Sequence, residues 1–218
     1  MASYRIRDKT TLLYVILPIF EKYPLLTSKQ FNFLKFKEAL LISINNSLST
    51  VEKNNLIDNI ANSKLPLEYF SPVWLVVDNK VTNVESASKV MNKSWLIGFT
   101  EAEGSFYLVS KTSTRIVHAF EMTQKLDTIV LQSIKYILGI NTQVQTKKYS
   151  YSISTTNSRA IENIIKYFKD TMKGMKSVEY RIWARSYIKN KGDFEKLKFI
   201  REKVRLLKNQ YNWDSFEY

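Results

Sequence analysis

An α+β fold, with a four-stranded antiparallel sheet and helices on one of its faces, is what the second half of this 218-residue sequence predicts. Three observations carry that prediction. From Lys93 onward the periods run helix–strand–strand–helix–strand–strand–helix, with more helix behind. The first two strand-like runs are separated only by Thr112, Ser113 and Thr114, a link that suits antiparallel neighbours. Within the runs apolar and polar residues alternate, as in a sheet packed on one face.

The elements follow in order. Ser3 to Asp8 reads as a short strand. Asp8 or Thr10 can cap a helix running to about Tyr23, interrupted by Pro18, because proline pushes its predecessor out of the helical region. A second helix runs from Ser28 to about Ile44. A third starts near Ser49 or Thr50 with an acid in its first turn. Residues 63–92 are the least periodic and hold two of the four prolines, so they read as a linker between a first part, 1–62, and a second, 93–218. The second part opens with a helix of about ten residues ending at Gly104, followed by the strands "SFYLVSK" and "RIVHAFEMTQK". An amphipathic helix then carries Ile129, Val130, Ile134, Ile137 and Leu138 on one side. "TQVQTKK" and "YSISTT" form a hairpin-like pair. Asn157 caps a helix through Phe168, and "SVEYRIWARSYIK" is another.

Charge and composition narrow the function. Thirty-three Lys and Arg against 20 Asp and Glu leave a net charge of +13. That excess points to a polyanionic partner, nucleic acid before an anionic membrane surface. There is no cysteine, which excludes disulfides, thiolate metal sites and cysteine nucleophiles. The one histidine, His118, excludes histidine-based metal clusters and reads as structural or surface-exposed rather than catalytic. "TLLYVILPIF" (Thr11–Phe20) mimics a signal-peptide core but is too short to span a membrane, and no small-residue cleavage site follows; it reads as a buried helix. Abundant Lys, Asn, Ile, Tyr and Phe with few Gly and Pro suit an AT-rich organellar genome, a mitochondrion or alternatively a plastid.

An internal repeat sets the organisation. Tyr4–Phe36 and Tyr151–Trp183 both read strand, capped helix ending in an apolar–Phe pair, short loop, lysine, then a helix with aromatics. Lys29 to Phe36 is seven residues, as is Lys176 to Trp183, while the earlier frames slip by one. The chain therefore reads as the back half of one repeat followed by one whole repeat, without the front half of the first.

The stretch "WLIGFTEAEGSFY" (Trp95–Tyr107) places two acids at the end of an apolar helix. A carboxylate there meets the negative end of the helix dipole, at a cost of a few tenths to about 1 kcal/mol. A bound cation reverses that sign. Gly104 is expected to take the left-handed capping conformation, so that Glu103 projects from the helix end. Glu101 lies two residues earlier, about 200° round the helix, and reads as non-catalytic. Gly98, with Ala102 one turn on, is a small-residue face suited to close helix packing; a helix-interior glycine otherwise costs roughly 1 kcal/mol.

"LIGFTEAEG" (Leu96–Gly104) resembles the signature of the LAGLIDADG homing endonucleases and the related group I intron maturases. "FEMTQK" (Phe120–Lys125) is similar to the family's second strand, and "GMKS" (Gly174–Ser177) to the loop carrying its active-site lysine. The resemblance implies an αββαββα repeat with a DNA-binding sheet, preceded here by the incomplete repeat. It implies Mg²⁺-dependent double-strand cleavage of DNA at a long target site by an intron-encoded enzyme. Glu103, with Gly104, would sit at the metal; Gln124 would position solvent; Lys176, and Lys29 from the incomplete repeat, would polarise it or steady the phosphate. Oxygen-bound Mg²⁺ needs no histidine for this hydrolysis.

In the family two signature helices pack side by side, and this chain carries one. Three explanations stand open: a fragment of a longer or fused reading frame, a degenerate relative, or a chain that pairs with another copy through the Leu96–Gly104 helix. Strand alternation places Tyr107, Lys111, Arg115, Gln145, Lys147, Ser152 and Ser154 on the face opposite Phe106, Leu108, Phe120, Val144 and Ile153. That polar face is expected to meet DNA in the major groove, where base edges carry a full donor and acceptor code. The alternative function is an RNA-binding maturase that assists splicing of its host intron without cutting.

Overall fold

The computed structural model describes residues 5–211 except Met175, with side chains described as far as Leu206. The chain divides into two compact units between Lys80 and Val81.

In the first unit, the Asp8 carboxylate accepts the Thr11 N–H at 2.6 Å and opens a helical run. The run comprises α1 (Lys9–Thr11), a π segment (Leu12–Ile16) and α2 (Leu17–Lys22). Pro18 does not break this run as the sequence suggests. Leu17 stays helical, and its N–H bonds the Leu12 carbonyl five residues back, so the π segment just before Pro18 absorbs the irregularity. Arg5 to Asp8 forms no strand, since a strand needs a neighbour to pair with; Ser3 and Tyr4 lie outside the described residues. Then follow α3 (Lys29–Ile44) and α4 (Thr50–Asn62), the latter opened by a reciprocal capping box between Ser49 and Glu52. Leu17, Phe33 and Leu40 form the core with Leu12, Leu13, Phe20 and Leu25 around them.

The stretch 63–92, expected as a linker, is shared between the units. A 3₁₀ turn (Pro72–Val77) buries Trp74 completely, with its indole N–H on the Leu26 carbonyl at 2.8 Å. The Ser71 hydroxyl donates to Leu25 O at 2.6 Å. Beyond Lys80, α5 (Val84–Val90) packs on α7 (Thr128–Leu138) and buries Ala87. Low periodicity reflects short elements here, not the absence of packing.

The second unit has the expected order: α6 (Lys93–Glu103), β1 (Gly104–Thr112), β2 (Arg115–Gln124), α7, β3 (Gln145–Lys147), β4 (Ser150–Thr155), α8 (Ser158–Phe168), α9 (Lys176–Asn190) and α10 (Phe194–Tyr211). The sheet is antiparallel in the order β1-β2-β4-β3. One face is apolar: Phe106, Phe120, Met122 and Ile153 are buried. Helices cover them, and Phe106 meets Phe120, Phe168, Tyr180 and Trp183 in one aromatic cluster. His118 lies on this face, its Nε2 2.8 Å from the Ser186 hydroxyl, which makes it structural as expected. Burial first, and the Lys191 charge second, push its pKa down to about 4.

Candidate active site

The site is built where α6 ends and β1 begins. Asn92 caps α6 by accepting the Trp95 N–H, and Leu96 and Thr100 anchor the helix on its buried side. The other side is bare. Gly98, Ala102 and Glu103 are exposed, and a Cβ added at Gly98 would meet nothing within 4 Å. The close packing expected at Gly98 and Ala102 is therefore not made among the described residues.

Gly104 departs from the expected left-handed cap. Its φ of −75° and ψ of 152° are extended, because it is already the first residue of β1, paired with Met122. The need for glycine is steric. A Cβ would lie 2.6 Å from Thr100 Cγ2 and 2.7 Å from Thr100 O, so the helix-to-strand switch leaves no room for a side chain.

Three backbone and side-chain contacts join this corner to the loop before α9. The Lys176 ammonium donates to the Gly104 carbonyl at 2.7 Å. The Glu101 carboxylate accepts the Gly174 N–H at 2.7 Å on one oxygen and the Lys173 N–H on the other. A Cβ at Gly174 would run into that carboxylate. Glu101 thus grips the loop that delivers Lys176, a role sequence reasoning missed. Its distance round the helix from Glu103 was the available signal; the partner, some 73 residues away, left none.

The register puts Gln124 at the same end of the sheet. Met122 faces Gly104 across the ladder, and β2 ends two residues later at Gln124. Its side-chain amide donates to Thr123 O at 3.0 Å. Glu103 has no ion pair among the described residues, whereas the Gly104 carbonyl is occupied by Lys176. Lys29 opens α3 in the first unit as Lys176 opens α9 in the second, and it is exposed.

On the polar face, Lys111, Arg115, Gln145 and Lys147 are exposed, and Tyr107 and Ser154 are partly so. Ser152 corrects the sequence expectation. It is 1% exposed, because its short side chain sits between Thr123 and Gln145 on the neighbouring strands. The face also holds an acid, Glu121, engaged by Tyr107 at 3.2 Å and Lys147 at 2.9 Å. Among the described residues no helix is long and apolar enough to cross a membrane.

The family model for the LAGLIDADG endonuclease matches residues 1–40 and 96–187. The probable intron-encoded endonuclease Cox1-I1b of Schizosaccharomyces pombe is 40% identical over 216 residues, covering 96% of this chain and 53% of that protein. The probable intron-encoded endonuclease aI3 of Dictyostelium citrinum is 27% identical over 74% of this chain and 58% of its own length. The chain thus spans about half the length of the curated relatives it matches. Among solved structures, the I-LtrWI LAGLIDADG homing endonuclease bound to target DNA has a TM-score of 0.72 at 22% identity, covering 98% of this chain and 75% of that one. The meganuclease I-SmaMI bound to uncleaveable DNA gives 0.70 at 24%, covering 96% and 75%. Signature helix, strand order and lysine loop fall inside the matched residues, and the chain belongs to the LAGLIDADG endonuclease family.

Proposed function

We propose that this chain forms part of an intron-encoded homing endonuclease that cleaves both strands of DNA at a long target site. The supporting observation is the corner at the end of α6. There Lys176 is tied to Gly104, next in sequence to Glu103, while β2 ends with Gln124 at the same edge. A phosphate laid against this corner would meet an ammonium, a carboxylate and a side-chain amide together.

Glu103 would hold a divalent cation, Mg²⁺ by its donor chemistry. The residues fit. Glu103 is a hard oxygen donor, exposed, and the chain contains no cysteine to favour a softer metal. Among the described residues no group of three or more His, Cys, Asp or Glu gathers. Mg²⁺ at phosphates commonly takes only one or two carboxylates, with substrate oxygens and water completing its shell. When bound, such a cation neutralises phosphate charge and acidifies water. Lys176 would steady the scissile phosphate, and Gln124 would orient the attacking water. One related structure, I-SmaMI on an uncleaved DNA target, was obtained with calcium ions.

The first unit reads as the back half of a preceding repeat. Phe36, counterpart of Trp183, is 38% exposed, whereas Trp183 is 2% exposed beneath its sheet. Tyr14 and Val15 are also exposed. An upstream half-domain would cover such a surface and bring a second signature helix against Gly98 and Ala102. Mitochondrial expression fits the relatives, which include a mitochondrial protein of Saccharomyces cerevisiae.

The test is cleavage of duplex target DNA with Mg²⁺ by the full chain, alone and joined to a supplied half-domain with a second signature helix, against Glu103→Gln. Loss of cleavage with DNA binding retained supports the assignment. Equal cleavage by the variant overturns it, and binding to host intron RNA without duplex binding would move the function to splicing.

A further inference from the structure

Within the endonuclease reading, we infer that Glu121 is a base-reading residue, its carboxylate accepting the exocyclic amine of a cytosine in the major groove. A carboxylate on a surface that meets a polyanion is repelled by every nearby phosphate. Glu121 nonetheless stands on β2, one of the two middle strands, on the polar face. Its ladder neighbours there are Ser105 on one side and Ser154 on the other, so no large side chain flanks it directly across the strands.

Two groups fix its direction. The Tyr107 hydroxyl donates to Oε2 at 3.2 Å, and the Lys147 ammonium to Oε1 at 2.9 Å. Burial first, and the Glu121 charge second, push the Tyr107 pKa up to about 12, so the phenol stays a donor at any working pH. A carboxylate offers about four acceptor positions. These partners use two, and Lys147 offsets the charge that would otherwise repel the duplex. What remains is an oriented group that only accepts.

The base edges discriminate among themselves. In the major groove guanine presents two acceptors, thymine an acceptor and a methyl, and adenine a donor beside an acceptor. Cytosine presents a donor amine there. An acceptor-only carboxylate is repelled by guanine and thymine oxygens and by adenine N7, which leaves cytosine as its match. A purely structural Glu121, tying Lys147 to the sheet, would influence all sequences alike.

The experiment is selection of bound duplexes from a randomised pool by the full chain, joined to the same supplied half-domain as in the cleavage test, and by its Glu121→Gln variant. The unaltered chain should recover one C·G pair with about tenfold preference over other pairs at that position. The carboxamide carries a donor and an acceptor, so Glu121→Gln should shift that position, and only that position, toward adenine. A uniform change in affinity with the same base recovered overturns the reading role alone. Failure of both proteins to bind duplex DNA overturns it together with the endonuclease function.

Discussion

The Glu101 carboxylate and the Gly174 N–H meet at 2.7 Å across 73 residues of sequence. With the Lys173 N–H on the second oxygen and Lys176 returning to Gly104, the loop before α9 is fastened to the last turn of α6. Glu101, two residues before Glu103, therefore acts on the loop that carries Lys176. Glu101→Gln keeps one acceptor but turns an NH₂ group toward the other N–H. Hydrogen bonds to a charged group contribute about 1.5–3 kcal/mol, and partial exposure places this pair toward the low end. Amide exchange at Lys173 and Gly174 should accelerate by about tenfold, with cleavage reduced and DNA binding kept. Unchanged exchange would remove the positioning role.

The two glycines of the signature respond in opposite directions. Gly104→Ala drives a Cβ into Thr100 Cγ2 and Thr100 O, one of them backbone. Such overpacking costs about 1–3 kcal/mol, seen as a lower urea midpoint. Gly98→Ala meets no atom within 4 Å and gains helix propensity of up to about 1 kcal/mol, so the midpoint should rise. If a second signature helix docks on this face, the same Gly98→Ala change should weaken that association. Equal effects on stability from both substitutions would contradict the steric account.

These glycines also show where the sequence was legible. The order of elements was readable because caps and periods are local: in the second unit Asn157 accepts the Arg159 and Ala160 N–H groups, and in the first Ser49 opens α4 with Glu52 in its first turn. Gly104 was expected as a left-handed cap, whereas it is extended and needed for lack of space. A motif shows that glycine is needed there, not that a threonine methyl four residues back fills the space. Ser152 was placed on the correct face by alternation, yet its burial depends on the size of neighbours from two other strands. Trp74 hid in a stretch without period, because one anchoring aromatic in a 3₁₀ turn leaves no repeating pattern. Glu121 shares the parity of the polar face, but the partners that orient it, Tyr107 and Lys147, lie 14 and 26 residues away, and no local pattern pairs them.

His118 makes stability pH-dependent in a defined direction. Its folded pKa is about 4, below the ordinary histidine value of 6.5. Between these values the unfolded chain binds more protons, so stability falls as pH drops from about 6.5 toward about 4. The full difference corresponds to about 3 kcal/mol. His118→Gln should flatten this dependence in urea titrations at pH 7 and pH 5, while costing some packing against Trp183 and Tyr187. A variant that keeps the same acid sensitivity would assign it to other groups.

Lys111 and Arg115 flank the β1–β2 turn, both exposed and without an ion pair among the described residues. If the polar face meets DNA, these two residues at the tip of the hairpin are expected to contact phosphates, and phosphate contacts carry no sequence information. Each phosphate neutralised contributes about 0.9 to the slope of log affinity against log salt on B-form DNA. Lys111→Ala and Arg115→Ala should each reduce that slope by about 1 and weaken binding to specific and random duplexes to the same extent. Glu121→Gln should alter base preference and, by releasing Lys147, steepen the slope rather than reduce it. A Lys111 or Arg115 variant that changed base preference at one position with its salt slope intact would place that residue among the base readers instead.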